Sequence, residues 1–308
     1  MPFREQFKAM AKEIPLRFTK MQGIGNDYVY VNCLDEAVDN PSSLSRLVSD
    51  RHFGIGSDGL ILIRPSTKAD FFMEMFNADG SRSAMCGNGI RCVGKYVYDC
   101  GLTDKTEITV NTLDGVKHLS LNVEEGRVVS VTVDMGEPRL DPDLIPVKAS
   151  KSPVVAEPLE IGGRRFEMTC VSMGNPHAVT FVDCTADYPV HEIGRAFESH
   201  PAFPERVNAE FVEVLNRSEV NMRVWERGAG ETLACGTGSC ASVVACVLNG
   251  LTDDEVTVHL LGGDLQVRWD RNLNRVFMTG PAATVFEGEM DVSECPPDEP
   301  PHVVDPGG

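Results

Sequence analysis

No run of apolar side chains in this sequence approaches the roughly 20 residues needed to cross a bilayer. Positive charge is scarce: 28 Lys and Arg stand against 46 Asp and Glu, for a formal net charge of −18. General nucleic-acid binding depends on cationic groups displacing counterions, so that class is excluded, as is adhesion to an anionic membrane surface. A small charged substrate is not excluded, because a pocket can differ in sign from the whole surface. The first residues, Met1-Pro2-Phe3-Arg4-Glu5-Gln6-Phe7-Lys8, lack the apolar stretch of a secretory signal. Cys-x-x-Cys pairs are absent, and Cys86/Cys92 and Cys235/Cys240/Cys246 have the wrong spacing for a zinc ribbon or finger. The ten cysteines are therefore expected as free thiols in a reducing cytoplasm, with no metal site.

What is present is an internal repeat. The chain has 308 residues, room for two domains, and Cys86-Gly87-Asn88-Gly89 lies over Cys235-Gly236-Thr237-Gly238 at an offset of 149. Fifteen residues after each cysteine comes the same tetrapeptide, Gly101-Leu102-Thr103-Asp104 and Gly250-Leu251-Thr252-Asp253. The same offset places Gly25-Asn26 on Gly174-Asn175 and Asn77 on Glu226. Unrelated motifs sharing one offset indicate a duplicated domain, not a short-period solenoid.

Within each copy a glycine turn leads into one helix. Ile90, Val93 and Val97 follow helical spacing, whereas Ala241, Val243, Val244, Ala245, Val247 and Leu248 are apolar nearly all round, as in a fully buried helix. Gly101 and Asn249-Gly250 supply stops. Alternating β-branched segments surround the helices, among them Gly59–Ile63, Phe71–Phe76, Val128–Val133, Val207–Val214, Val220–Val224 and Leu265–Trp269. The expected class is α+β: two pseudo-symmetric domains, each a curved, barrel-like mixed or antiparallel sheet around a central helix. The first is expected to cover residues 1–135 and the second 136–280. Five prolines in the 14 residues from Cys295 point to a disordered acidic tail over 293–308.

Cys-Gly-x-Gly before a helix is a chemically specific element. The first helical N–H groups lack intrahelical partners and form a site for an anion such as a carboxylate. A cysteine placed there is expected to have a lowered pKa, with thiolate accessible near neutral pH. Two such cysteines, Cys86 and Cys235, at equivalent points of a duplicated chain can flank one carbon. A base on one face and an acid on the other would invert a stereocentre α to a carboxylate, with N–H donors stabilising the carbanion. No cofactor is required for this. Gly54-Ile55-Gly56-Ser57-Asp58-Gly59 matches a dinucleotide fingerprint, but it precedes a strand instead of following one into a helix.

These residues resemble the diaminopimelate epimerase family, over roughly residues 16 to 290. The motifs that carry the resemblance are Phe18-Thr19-Lys20-Met21-Gln22-Gly23-Ile24-Gly25-Asn26-Asp27, Phe76-Asn77-Ala78-Asp79-Gly80-Ser81, Met85-Cys86-Gly87-Asn88-Gly89-Ile90-Arg91, Gly174-Asn175-Pro176-His177 and Glu226-Arg227-Gly228-Ala229-Gly230-Glu231-Thr232 through Ala234-Cys235-Gly236-Thr237-Gly238. The resemblance implies cofactor-independent interconversion of LL- and meso-2,6-diaminopimelate, in lysine and peptidoglycan precursor biosynthesis. It implies Cys86 and Cys235 as the acid–base pair. Gly87-Asn88 and Gly236-Thr237 would hold the reacting carboxylate, and Glu226 with the Arg227 backbone the reacting ammonium. Asn77, Asn175, Asn208 and the Arg227 side chain would read the distal end. Asn26 matches a first-loop substrate asparagine and His177 a catalytically important histidine. The resemblance also implies a C-terminal strand returning to the first domain at about 281–292, and a homodimer in which Phe286 occupies a contact position. Two other readings are a proline or hydroxyproline racemase, which would leave the distal-end residues without purpose, and a redox or binding protein using the two cysteines as a disulfide pair.

Overall fold

The computed structural model describes residues 15–293 and 295–298. The first half runs β1 (Leu16–Gly23), β2 (Asn26–Asn32), α1 (Pro41–Ser49), β3 (Gly59–Arg64), β4 (Phe71–Asn77), β5 (Arg82–Ser83), α2 (Gly87–Asp99), β6 (Glu107–Thr112), β7 (Gly115–Glu124) and β8 (Arg127–Gly136). The second runs β9 (Glu157–Ile161), β10 (Arg164–Ser172), β11 (Pro176–Phe181), α3 (Val190–Glu198), β12 (Asn208–Asn216), β13 (Glu219–Glu226), β14 (Gly230–Glu231), α4 (Gly236–Leu248), β15 (Glu255–Leu260), β16 (Gly263–Asp270) and β17 (Arg275–Gly280). The last strand is β18 (Ala283–Met290).

The repeat seen in the sequence is a repeat of strand register. In β2 and β3, which are parallel, Val29 pairs with Leu60 and Tyr30 with Ile61. In β11 and β12, also parallel, Ala178 pairs with Ala209 and Val179 with Glu210, the same residues shifted by 149. Antiparallel pairs follow in each half, Leu60 with Phe76 and Ala209 with Trp225. β9 and β18 occupy corresponding places: β9 pairs with β10 at the start of the second half, and β18, which follows β17, crosses back to pair with β1 of the first. An antiparallel β8–β17 pair then joins the two sheets. The fold is α+β with two pseudo-symmetric sheet-and-helix domains.

The sheets bury both faces, which explains the continuous apolar run Leu60-Ile61-Leu62-Ile63. Ile61 and Ile63 face inward onto α2 with Ile90, Val93 and Val97. Leu60 and Leu62 face outward onto Leu44 and Val48 of α1. In the second half Ala209 and Phe211 face outward onto Ile193 and Phe197 of α3. Each half therefore carries an outer helix besides the central one that was expected. The inner cluster crosses between the halves through Met135, Val276 and Met278. Gly101 and Gly250 lie one residue past the helix-terminating Cys100 and Asn249, at φ 71° and 70°. They take the left-handed conformation that ends a helix.

All ten cysteines are unpaired. Among the described residues no helix is long and apolar enough to cross a membrane. Of the expected tail from residue 293, residues 295–298 are described beside α1. There the Asp298 carboxylate accepts hydrogen bonds from the Ser42 and Ser43 N–H groups at 3.2 and 2.7 Å. It fills the start of α1, where Asn40 makes no side-chain cap, because an acid at that end satisfies orphan donors. Residues 294 and 299–308 of the expected tail lie outside the described residues.

Candidate active site

Both central helices begin on a cysteine. Cys86 caps α2, its Sγ accepting from Gly89 N–H at 3.3 Å, and Cys235 caps α4, its Sγ accepting from Gly238 N–H at 3.3 Å. Each takes the extended backbone of a capping residue and satisfies one orphan donor of its helix. The two helix starts touch. A methyl built on Gly87 would lie 3.7 Å from Gly236 Cα, and one built on Gly236 would lie 3.6 Å from Gly87 Cα. Across the seam such a methyl would make ordinary contact; its tighter neighbour is Met278, whose Cε lies 3.1 Å from the Gly87 position and whose Sδ lies 3.0 Å from the Gly236 position. Asn88 Nδ2 crosses the seam to donate to Ala234 O at 3.4 Å. The fully buried Arg91 clamps the first helix start, donating to Gly87 O at 3.2 Å, Asn88 Oδ1 at 2.9 Å and Pro281 O at 3.2 Å.

The helix starts open into a cleft of about 1420 Å³ lined by Asn26, Asn77, Cys86, Gly87, Asn88, Asn175, Glu226, Arg227, Cys235, Gly236 and Thr237. Eleven of the thirteen residues singled out in the sequence thus meet there. His177 and Asn208 do not line it; they are 0% and 4% exposed and stand behind its wall. Asn208 donates to Pro176 O at 2.8 Å and accepts from Arg227 N–H at 2.9 Å, so in this structure it braces the Arg227 backbone. His177 has Nδ1 at 2.6 Å from Glu210 Oε1 and Nε2 at 2.9 Å from Asn175 Oδ1.

The electrostatics of the thiols differ from the expectation. Burial is the largest influence on both and raises them above the ordinary thiol range, Cys235 well above it. The Gly89 and Gly238 N–H bonds pull the other way but do not prevail. A helix start favours thiolate only where water also reaches it, and desolvation disfavours the charged form. Glu226 raises both thiols further, which makes it a common neighbour of the two sulfurs. Burial also raises the Glu226 carboxyl itself, against a 2.5 Å hydrogen bond from the Thr232 hydroxyl.

Three further residues belong to the site and were not singled out in the sequence. Cys86 Sγ donates to Asn26 Oδ1 at 3.2 Å. Asn26 Nδ2 in turn donates to Asp58 at 2.7 Å, and Asp58 is held by Arg51 Nη2 at 2.9 Å. Glu210 is the third, through His177. Asp58 sits in the glycine-rich loop that was set aside as a dinucleotide motif, and its signal is its place just before β3 at the cleft edge. Among the described residues no group of three or more His, Cys, Asp or Glu side chains is placed to hold a metal ion.

The sequence model of the diaminopimelate epimerase family matches residues 18–140 and 169–285. The chain belongs to the diaminopimelate epimerase family. It is 61% identical over 279 residues to the diaminopimelate epimerase of Acetivibrio thermocellus, covering 91% of this chain and 100% of that one. It is 60% identical over 284 residues to that of Agathobacter rectalis, covering 90% and 100%. Among solved structures it is similar to a probable proline racemase of Agrobacterium radiobacter K84, with TM-score 0.67, 13% identity, and coverage of 90% and 93%. It is also similar to a PhzF-family phenazine biosynthesis protein of Bacillus anthracis, with TM-score 0.65, 16% identity, and coverage of 90% and 99%. At such identities these structural likenesses speak to the fold alone.

Proposed function

We propose that this protein is a cofactor-independent isomerase that interconverts LL- and meso-2,6-diaminopimelate by two-base catalysis at Cys86 and Cys235. The observation that carries the reading is the contact between two cysteine-capped helix starts, one from each repeat, at the floor of one cleft. A carboxylate lying on that seam can accept from the Gly87-Asn88 and Gly236-Thr237 N–H groups of both helices. Its α-carbon then lies between the sulfurs. One thiolate removes the α-proton, the other thiol delivers a proton to the opposite face, and the roles exchange in reverse. A thiolate whose conjugate acid is weakened by burial is the stronger base, which suits a weakly acidic C–H. The N–H groups stabilise the charge that develops on the carboxylate.

Glu226 takes the reacting ammonium with the Arg227 backbone, which Asn208 holds in place. Asn77, Asn175 and the Arg227 guanidinium take the distal amino-acid head, and Asn26 positions Cys86. We place the domain division at residues 1–135 with 281–292, and at 136–280. A cytoplasmic homodimer accords with this reading. Val285 and Phe286 on β18 are 56% and 46% exposed, and among the described residues β18 pairs only with β1, leaving one edge for a second copy.

The test is incubation with LL-diaminopimelate in D₂O, followed by proton NMR and chiral analysis. Meso product with deuterium at the inverted centre is expected. Retention of the α-hydrogen, or turnover of L-proline in its place, refutes the reading.

A further inference from the structure

The pseudo-twofold axis relates residues that are chemically unlike. At the offset of 149, Tyr28 corresponds to His177, Ile61 to Glu210 and Gly89 to Gly238. The correspondence is spatial as well. A methyl built on Gly89 would lie 2.7 Å from Ile61 Cδ1, and one built on Gly238 would lie 2.8 Å from Glu210 Oε1. Beneath one helix start, then, lies hydrocarbon, and beneath the other a carboxylate. Glu210 is fully buried, and its Oε2 has no hydrogen-bond partner. Ile61 shows that an apolar side chain suffices for packing at this place. A buried carboxylate with one oxygen unsatisfied is a net cost to stability. The cost is offset only by what the other oxygen does.

That oxygen begins a chain of contacts ending at a catalytic sulfur. Glu210 Oε1 lies 2.6 Å from His177 Nδ1, and His177 Nε2 lies 2.9 Å from Asn175 Oδ1. Asn175 Nδ2 donates to Thr237 Oγ1 at 3.3 Å, and Thr237 Oγ1 lies 3.6 Å from Cys235 Sγ. We propose that Glu210 is a positioning residue for the Cys235 side of the cleft, acting through His177 and Asn175 on Thr237. The carboxylate accepts from Nδ1–H and so fixes the ring. The ring edge fixes the Asn175 amide, and the amide fixes the hydroxyl beside Cys235. Cys86 is held differently: its neighbour Asn26 is anchored by the surface pair Asp58 and Arg51, and the Tyr28 hydroxyl, at the place equivalent to His177, hydrogen-bonds the sulfur. The two acid–base groups are therefore held unequally: the hydroxyl beside Cys235 is oriented from the buried Glu210–His177 pair, whereas the amide beside Cys86 is oriented from the surface. The proposal rests on the two-cysteine epimerase reading for its kinetic consequence.

The test compares Glu210→Ile, which installs the first-half residue, with Glu210→Gln, which keeps an acceptor oxygen in the same shape but removes the charge. Iodoacetamide labelling without substrate, read by peptide mass spectrometry, gives the ratio of Cys235 to Cys86 alkylation. Glu210→Ile is expected to change that ratio by about threefold or more, because the Thr237 hydroxyl beside Cys235 is released, and Glu210→Gln to leave it within about twofold, because its oxygen still holds the ring. In turnover of LL-diaminopimelate, loss of a charge-assisted hydrogen bond predicts a fall in kcat of about 10- to 100-fold for Glu210→Ile, with KM within about threefold. Glu210→Gln is expected to recover kcat to within about threefold of the parent, because its oxygen still accepts from Nδ1–H. An unchanged labelling ratio in Glu210→Ile overturns the proposal, as does equal loss of kcat in the two variants or none in Glu210→Ile. Should Glu210→Ile not fold, Glu210→Ala, which removes both oxygens and adds no bulk, takes its place in both measurements. Labelling needs no substrate, so an inactive parent protein would refute the epimerase reading and leave this result standing.

Discussion

Replacing each cysteine by serine separates the two jobs that Cys86 and Cys235 perform. Each sulfur caps its helix, accepting from Gly89 or Gly238 N–H at 3.3 Å, and each is proposed to move a proton. Alanine removes both functions at once and leaves an orphan donor, at a cost of about 1 kcal/mol. A serine hydroxyl retains the acceptor, so Cys86→Ser and Cys235→Ser are expected to unfold within about 1 kcal/mol of the parent. The hydroxyl does not ionise in the working range, so general acid–base catalysis is lost at that face. Such catalysis contributes roughly 10²- to 10⁴-fold, or about 2.7–5.4 kcal/mol of barrier at 1.36 kcal/mol per factor of ten. Each single variant should therefore lose at least about 100-fold in kcat/KM. The loss must be equal for the LL and meso substrates, because their equilibrium fixes the ratio of the two. The double variant should fall little further, since the two sulfurs act as one unit. Urea denaturation followed by circular dichroism reads the first quantity, and α-proton NMR in D₂O reads the second. Turnover within tenfold of the parent in either single variant, with stability intact, would refute the two-base assignment.

Because burial raises both thiols above the ordinary range, iodoacetamide labelling of each should still be climbing at pH 9 when no substrate is added. A plateau below pH 8 would show that the helix-start N–H groups outweigh desolvation. Gly194 of α3 lies against Trp225, and a methyl there would sit 2.4 Å from Trp225 Cβ. The indole is tethered by its Nε1–H donating to Glu198 at 2.7 Å, so it has little freedom to yield. Gly194→Ala should cost about 1–3 kcal/mol and raise KM, because Trp225 directly precedes Glu226. An unchanged urea midpoint would contradict this packing argument.

The site was legible where chemistry repeats at fixed spacing. Cys86 and Cys235 stood out because a cysteine–glycine turn, a helix and an identical terminating tetrapeptide recur together. The structure shows why that spacing is constrained: helix start, helix length and left-handed stop are all set by backbone geometry. The outer helices were not legible for an equally physical reason. Helix α1 buries only Leu44 and Val48 among its apolar residues, and fills the rest of its inner face with Ser43, Ser45 and Ser49. Serine at those positions carries no hydrophobic period. The thiol ionisation was misjudged because a sequence displays the helix start but not the depth at which it is buried. Asp298 was read as part of an acidic tail because its partners, the Ser42 and Ser43 N–H groups, are more than 250 residues away.

Glu210 shows how a duplicated chain can be read more closely. It lies in the largely apolar segment Val207–Val214 with a second acid, Glu213, where a charged residue is easily taken for the solvent face of an alternating strand. Its own register excludes that: Ala209 and Phe211 face α3, so Glu210 must face the central helix. The repeat contains the same information, because the offset that aligns the cysteines also aligns Glu210 with Ile61. Agreement between the copies identifies what both halves need, a cysteine-capped helix and a glycine seam. Disagreement at an inward position identifies what one half does alone. An inverting enzyme of this kind acts on two substrates that differ in the face from which the proton leaves. Two chemically identical acid–base groups would be interchangeable in the resting protein, with either one free to hold the proton. The Glu210–His177 pair behind Cys235, with Ile61 and Tyr28 in the same places behind Cys86, removes that degeneracy before the substrate arrives.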